Sequence, residues 1–354
     1  MSRLVIRRIL YAVTIGASLF GAIKSYNPDY SDTIRIVANS SPLDEDYHGV
    51  EAFKKSIAEQ TNAMWRVHTY PYGQFCSTPK ECIDFLENGL IDVFMTTGGG
   101  LGNVFGPGQI VGAPYLFSND AIAECVVDGP FKDYFRQAVF DSGLNIRLME
   151  IGNTGGWRSF ATTSRPVRTV DDLKNIKIRT TAAAMQQVFV NEIGAAPTPI
   201  AWSELYVAMA TGVVDGTTNS LPDLISANLH EQVKYITLDD HGYMAAIWWL
   251  SEDRWQRSSP QQRQMLEKAY AALKAATRRA ALDNTVKAQD TFRNAGGEII
   301  VLSDDERADF QAAGHAIRPW FAEQFGESWF VELDRSIDDC QSRLTRSNAA
   351  AAAL

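Results

Sequence analysis

One unit used twice constrains this chain more than any other feature. Cys82–Val93 reads CIDFLENGLIDV and Leu205–Gly216 reads LYVAMATGVVDG. Each is a helical run, then a glycine, two apolar residues and an aspartate, with Gly89 matching Gly212 and Asp92 matching Asp215. Glycine ends a helix by taking left-handed backbone at its C-terminal cap. A short apolar pair after it starts a buried strand. Repetition of such a unit predicts two domains built on the same α/β plan. The length of 354 residues suits two domains of ~150 residues each.

The flanking pattern extends both copies. Thr33–Asn39 alternates as a strand, Glu51–Gln60 places Phe53, Ile57 and Ala58 on one helical face, and Met64–Pro71 is a second strand. Glu81–Asn88 is a helix and Leu90–Met95 a strand, so the first part predicts β-α-β-α-β and a parallel sheet. Helical runs at Ala121–Ala123 and Phe131–Phe140 precede a strand at Asn145–Ile151, and Thr154–Arg158 reads as a loop. The second part runs strand Ile176–Arg179, helix Ala182–Glu192, extended Ala196–Pro199, helix Ser203–Thr211 and strand Val213–Val214. Met244–Ser251 is a long apolar strand. A helix over Pro260–Arg293, a strand at Ile299–Leu302 and helices over Glu306–Phe325 and Ser328–Arg346 complete the chain. Ligands of open α/β sheets bind beyond strand C-termini. Thr96–Gly98 and Thr217–Asn219 are therefore expected to face one cleft between the domains.

Several functions are excluded or disfavoured. The net charge of −9 comes with no basic stripe, which argues against nucleic acid as a partner. No G-x-S-x-G, H-E-x-x-H or phosphate loop is present, so an exported enzyme lacks its usual machinery. Gly98–Gly102 is glycine-rich but lacks a following Lys-Ser/Thr, and reads as a flexible cleft loop. The five histidines are scattered and no CxxC occurs, which is not a zinc pattern; no metal-ligating residues and no cofactor are assigned, and a metal ion assisting the ligand is open on sequence alone. Arg3, Arg7 and Arg8 flank the uncharged run Ile9–Ile23. That is the pattern of an export signal, cleaved or kept as an anchor, and no other run is long enough to span a bilayer. Outside the cytoplasm disulfides are permitted. Cys76 and Cys82 can pair or stay free, and the pairing of Cys125 with Cys340 is open on sequence alone.

Three segments carry a family resemblance: Asp172–Arg179 (DLKNIKIR), Gly194–Tyr206 (GAAPTPIAWSELY) and Thr211–Gly216 (TGVVDG). With Gly73-Gln74, Asn88–Asp92, Pro114–Phe117 and Gly129-Pro130, the chain resembles the DctP-type solute-binding proteins of tripartite ATP-independent periplasmic (TRAP) transporters from about Thr33 to Asp338. The resemblance implies a two-domain α/β periplasmic-binding-protein-like fold. Each domain is a mixed, mostly parallel sheet flanked by helices, with a hinge strand and a long connecting helix. Residues 1–31 become signal or anchor plus linker. Domain I takes 32–153 plus about 246–285, domain II 154–245 plus about 286–338, and 339–354 form a tail.

The function so implied is a periplasmic receptor, not an enzyme, and a monomer. It closes on a small organic anion and docks on the TRAP membrane permease. Arg179 matches the family arginine that grips a carboxylate, Arg158 a second arginine, Asn219 the asparagine after Asp-Gly, and Trp202 the aromatic of P-T-P-x-A-[FW]. Asn39 and Thr97 fall at cleft-facing positions of the first domain. A planar guanidinium offers paired donors to a carboxylate or sulfonate. Thr217-Thr218-Asn219-Ser220 departs from the Gln-Glu-Asn-Pro of many relatives, which leaves the ligand open. A sensing role and a neutral polyol ligand are the alternatives.

Overall fold

The computed structural model describes residues 33–38, 44–71 and 74–352, with side chains as far as 347. The expected signal or anchor over 1–31 lies outside the described residues. The first half runs β1 (Thr33–Ala38), α1 (Glu45–Thr61), β2 (Arg66–Pro71), α2 (Pro79–Glu87) and β3 (Val93–Thr96), with β1 parallel to both other strands. Helices α3 (Asp120–Asp128) and α4 (Pro130–Asp141) lead into β4 (Ile146–Thr162). The second half repeats the plan with β5 (Lys177–Thr180), α5 (Ala184–Glu192), β6 (Ala196–Pro199), α6 (Leu205–Ala210) and β7 (Gly216–Asn219), again with the first strand parallel to the other two. After α7 (Leu221–Ser226) come β8 (Tyr235–Ser251), α8 (Glu252–Arg257), α9 (Pro260–Asn294), β9 (Glu298–Val301) and the helices α10 (Asp304–His315), α11 (Ile317–Phe325) and α12 (Ser328–Ala352).

The repeat is visible at atomic detail. Gly89 and Gly212 both take left-handed backbone, at φ +66° and +71°. Asp92 accepts the Arg35 backbone N–H at 2.8 Å, and Asp215 accepts that of Lys177 at 2.9 Å. The same two cations reach back to the glycines: Arg35 Nη2 donates to Gly89 O at 2.8 Å and Lys177 Nζ to Gly212 O at 2.9 Å. Each aspartate thus fixes where its strand begins. In the second copy this corrects the expected strand at Val213–Val214: those residues form a turn, and the strand is Gly216–Asn219.

The halves are joined by β4 and β8, each 17 residues long. They pair antiparallel from Ile146↔Ser251 to Thr162↔Tyr235. The sheet therefore runs on without a break, in the order β2-β1-β3-β8-β4-β7-β5-β6, with β9 on β8. The expected loop at Thr154–Arg158 is part of β4. Its Asn-Thr-Gly-Gly run is a bulge in the pairing between Asn153 and Trp157, with Gly155 and Gly156 at φ +85° and +91°. Bulges take turn-like residues into a strand and bend it, which is why the segment reads as a loop.

Side chains on β8 alternate between two cores. Ile247 and Trp249 join the larger one, with Phe94, Leu148 and Phe135. Ala246, Trp248 and Leu250 join the other, with Phe53, Tyr270 and Leu273 from α1 and α9. A third core under the second half gathers Leu205, Met209, Leu224, Ile236 and Phe292. Helix α9 has 35 residues, roughly 50 Å at 1.5 Å per residue. Its Thr277 packs against Gly49 and Gly152, where any Cβ would collide with the threonine side chain. The expected single helix over Glu306–Phe325 is broken at Ala316. Both candidate disulfides are formed, Cys76–Cys82 with Cα atoms 5.3 Å apart and Cys125–Cys340 with 5.9 Å.

Candidate functional site

The two halves close over a cavity of about 470 Å³. That is a size for a small metabolite. They touch where β3 runs into Gly99–Leu101, which forms a short 3-10 turn. A Cβ on Gly102 would lie 2.6 Å from Ala183 Cα, and one on Gly99 2.9 Å from Thr181 Oγ1. Met185 N donates to Gln109 Oε1 across the same seam at 2.9 Å. The glycines expected to make a flexible loop instead permit close approach of the opposite half.

Five of the six residues expected in the cleft line this cavity: Arg179, Arg158, Asn219, Trp202 and Thr97. Asn39 lies outside the described residues. Arg179 is the last residue but one of β5 and is 4% exposed. Its Nε donates to Ile200 O at 2.9 Å, and its guanidinium carbon is 5.7 Å from the centre of the Trp202 ring. Trp202 also packs on the third core, so it is both wall and support. Asn219 Oδ1 accepts the Ser220 N–H at 2.9 Å, and Thr97 Oγ1 accepts that of Gly100 at 3.1 Å. Trp157 turns away, donating to Asp120 Oδ1 at 2.9 Å, and Trp248 and Trp249 are core residues.

Arg158 has a different setting. It is buried in the β4 bulge region, where its Nη1 donates to the Thr218 carbonyl. Burial lowers its pKa to about 10, and the neighbouring charge of Asp223 works in the opposite direction. Asp223 belongs to an acidic group that sequence reasoning missed. Asp44, Asp46 and Asp223 all line the cavity, and Glu45 stands beside them. Burial, followed by the charge of Glu45, raises Asp44 to about 7. Burial, followed by the neighbouring carboxylates, pushes Asp46 and Asp223 well above the ordinary carboxylate range. A signal for Asp44, Glu45 and Asp46 was present: Asp44 caps α1 by accepting the Asp46 N–H at 3.0 Å. An Asp followed by acids in the first turn marks a helix start, here six residues ahead of the expected Glu51.

The profile of the bacterial extracellular solute-binding proteins of family 7 (DctP) matches residues 36–324. A solute-binding protein of Chromohalobacter salexigens is 27% identical over 294 residues, which are 83% of this chain and 85% of that one. The 2,3-diketo-L-gulonate-binding periplasmic protein of Escherichia coli is 23% identical over 95% of this chain and 99% of its own length. Among solved structures, a TRAP periplasmic solute-binding protein from a Bordetella superposes with a TM-score of 0.79 at 25% identity. The match covers 85% of this chain and 98% of that one.

Proposed function

The chain belongs to the bacterial extracellular solute-binding proteins of family 7, the DctP family, and from that footing we propose that it captures a small organic carboxylate between its two halves and delivers it to a TRAP membrane permease. The observation that carries the reading is the buried Arg179 guanidinium in the cavity wall, braced by the Ile200 carbonyl and the Trp202 ring. A charge-assisted fork of this kind suits a carboxylate inside a dry cleft. The E. coli relative is named for a keto acid, and the Bordetella structure has density assigned to pantoate; both ligands are carboxylates.

In this reading Arg179 grips the carboxylate, Asn219 and Thr97 orient hydroxyl or carbonyl groups, and Trp202 covers an apolar face. Arg158 acts as the counter-charge of Asp223. The moving bodies are 32–153 with about 246–285, and 154–245 with about 286–338. The β4–β8 crossing is the hinge, and ligand stabilises the closed form by touching both bodies. The protein works as an exported monomer in the periplasm, led there by the basic and apolar segment at its N-terminus. It binds its ligand without transforming it.

Gently purified protein supplies the test. Native mass spectrometry before denaturation, and identification of small molecules released after it, are expected to give one carboxylic acid per chain. Release of a neutral compound, with acids failing to rebind after refolding, would contradict the reading.

A further inference from the structure

Four carboxylates meet where the two halves face each other. Asp44, Glu45 and Asp46 open α1 in the first half, and Asp223 lies on α7 in the second. One oxygen each from Asp44, Glu45 and Asp223 lies within 4.8 Å of the other two. Among the described residues few groups partner them. Asn284 Nδ2 donates to Glu45 at 2.8 Å, Thr154 Oγ1 is 3.5 Å from Asp46 Oδ2, and Arg158 is the cation opposite Asp223. Asp46 is 1% exposed and Asp223 8%, yet Oδ1 of each has no hydrogen-bond partner among the described residues. A buried carboxylate oxygen left unpaired is costly. Both stand in the cavity wall, where a group entering the cavity would meet them.

We propose that Asp44, Glu45 and Asp223, with Asp46 beside them, bind one hard divalent cation of the calcium class that links the two halves across the cleft. Calcium takes oxygen ligands at 2.3–2.6 Å, so two oxygens on one ion stand at most about 5 Å apart, as these do. Magnesium holds its ligands at about 2.0–2.1 Å in a stricter octahedron and usually keeps several waters, so a site built of several side-chain carboxylates suits calcium better. The charge count points the same way. Four carboxylates face one arginine, with His48 near Glu45; a divalent ion balances them better than one ammonium group. Since the carboxylates come from both halves, the ion also favours closure. That consequence rests on the receptor reading, whereas the ion site itself does not.

The test uses the purified protein freed of metal by EGTA and dialysis, with no organic ligand added. Calcium is titrated by calorimetry. Terbium is titrated in parallel with tryptophan excitation, Trp202 in the same cavity wall being the antenna. One ion per chain is expected, with terbium emission displaced by calcium. Asp223→Asn is expected to weaken calcium at least tenfold while remaining folded in EGTA, with far-UV circular dichroism as the control. Absence of calcium heat and terbium emission overturns the proposal. So does calcium affinity that Asp223→Asn leaves unchanged. Binding of 4-aminobutyrate, lost in Asp223→Asn, in a protein that takes no calcium overturns it too and assigns the acids to an ammonium group on the ligand. None of these outcomes touches the carboxylate reading, which is tested through Arg179.

Discussion

The Arg179 guanidinium stands 5.7 Å from the centre of the Trp202 ring, while its Nε bonds to the carbonyl of Ile200, two residues before that tryptophan. One short stretch of chain thus braces the arginine through a hydrogen bond and a cation–π contact. The prolines at 197 and 199 hold the approach to it extended in β6. Bracing of this kind fixes the fork before the ligand arrives, which lowers the ordering cost of binding.

Trp202 therefore contributes through position as well as contact. Trp202→Ala is expected to weaken ligand binding about tenfold, the order of a partly desolvated cation–π pair, with Trp202→Phe retaining most of the affinity. Calorimetry on the two variants, with unchanged far-UV circular dichroism as the folding control, checks this.

The acidic group gives the metal- and ligand-free protein a particular pH dependence. Asp44 is raised to about 7 from an ordinary value of 3.8, and Asp46 and Asp223 are raised as well. Carboxyls with raised folded pKa values bind protons more tightly folded than unfolded, so their contribution is complete below about pH 4 and is lost as pH climbs through about 7. The melting temperature is expected to rise when the pH is lowered from 8 to 5. Asp223→Asn should flatten that slope, measured by scanning fluorimetry in EGTA. Asp128, Asp172 and Glu306 are shifted downward and act at lower pH.

The two disulfides differ in what they constrain. Cys125–Cys340 closes a sequence separation of 215, and Cys76–Cys82 one of 6. Loop-closure entropy assigns about 5 kcal/mol to the first and about 2 kcal/mol to the second. Cys125→Ser/Cys340→Ser should lower the urea midpoint clearly more than Cys76→Ser/Cys82→Ser, with unfolding followed by circular dichroism.

Gly155 marks the point where the crossing strand meets the second half. Its φ is +85°, and a Cβ there would run into Ser220 Oγ. Gly155→Ala is expected to cost about 3 kcal/mol of stability, from strain and overpacking together, and to weaken closure. Gly212→Ala, where φ is also positive but a Cβ meets nothing within 4 Å, should cost less. Urea denaturation of the two variants compares them.

Legibility in the sequence followed the range of the interactions. The repeat was readable because Gly89 and Gly212 end helices by a local backbone rule, and the aspartates after them make equivalent contacts. The strand after Gly212 was misplaced because Val213 and Val214 look like strand residues, whereas the register is set by the distant pairing of Asp215 with Lys177. Thr154–Arg158 reads as a loop because a bulge uses turn residues. The continuation of pairing from Trp157 to Tyr243 is a tertiary fact. Arg179 and Trp202 carried a family pattern and lie together. The acids escaped notice because Asp223 and Asp44 are far apart in sequence, and only folding makes them neighbours.

The most direct test of the receptor account is calorimetry on protein unfolded and refolded to remove any resident ligand. Wild type and Arg179→Ala are titrated with paired compounds, each a hexonate, hexuronate or C4-dicarboxylate beside its neutral alcohol analogue, with and without calcium. The expected result is one-to-one binding of an acid but not of its neutral partner. Arg179→Ala should weaken it about a hundredfold, as two charge-assisted bonds imply, and Arg179→Lys should restore it only in part because the planar fork is gone. Equal affinity for acid and alcohol, or acid binding that Arg179→Ala leaves intact, would contradict the account.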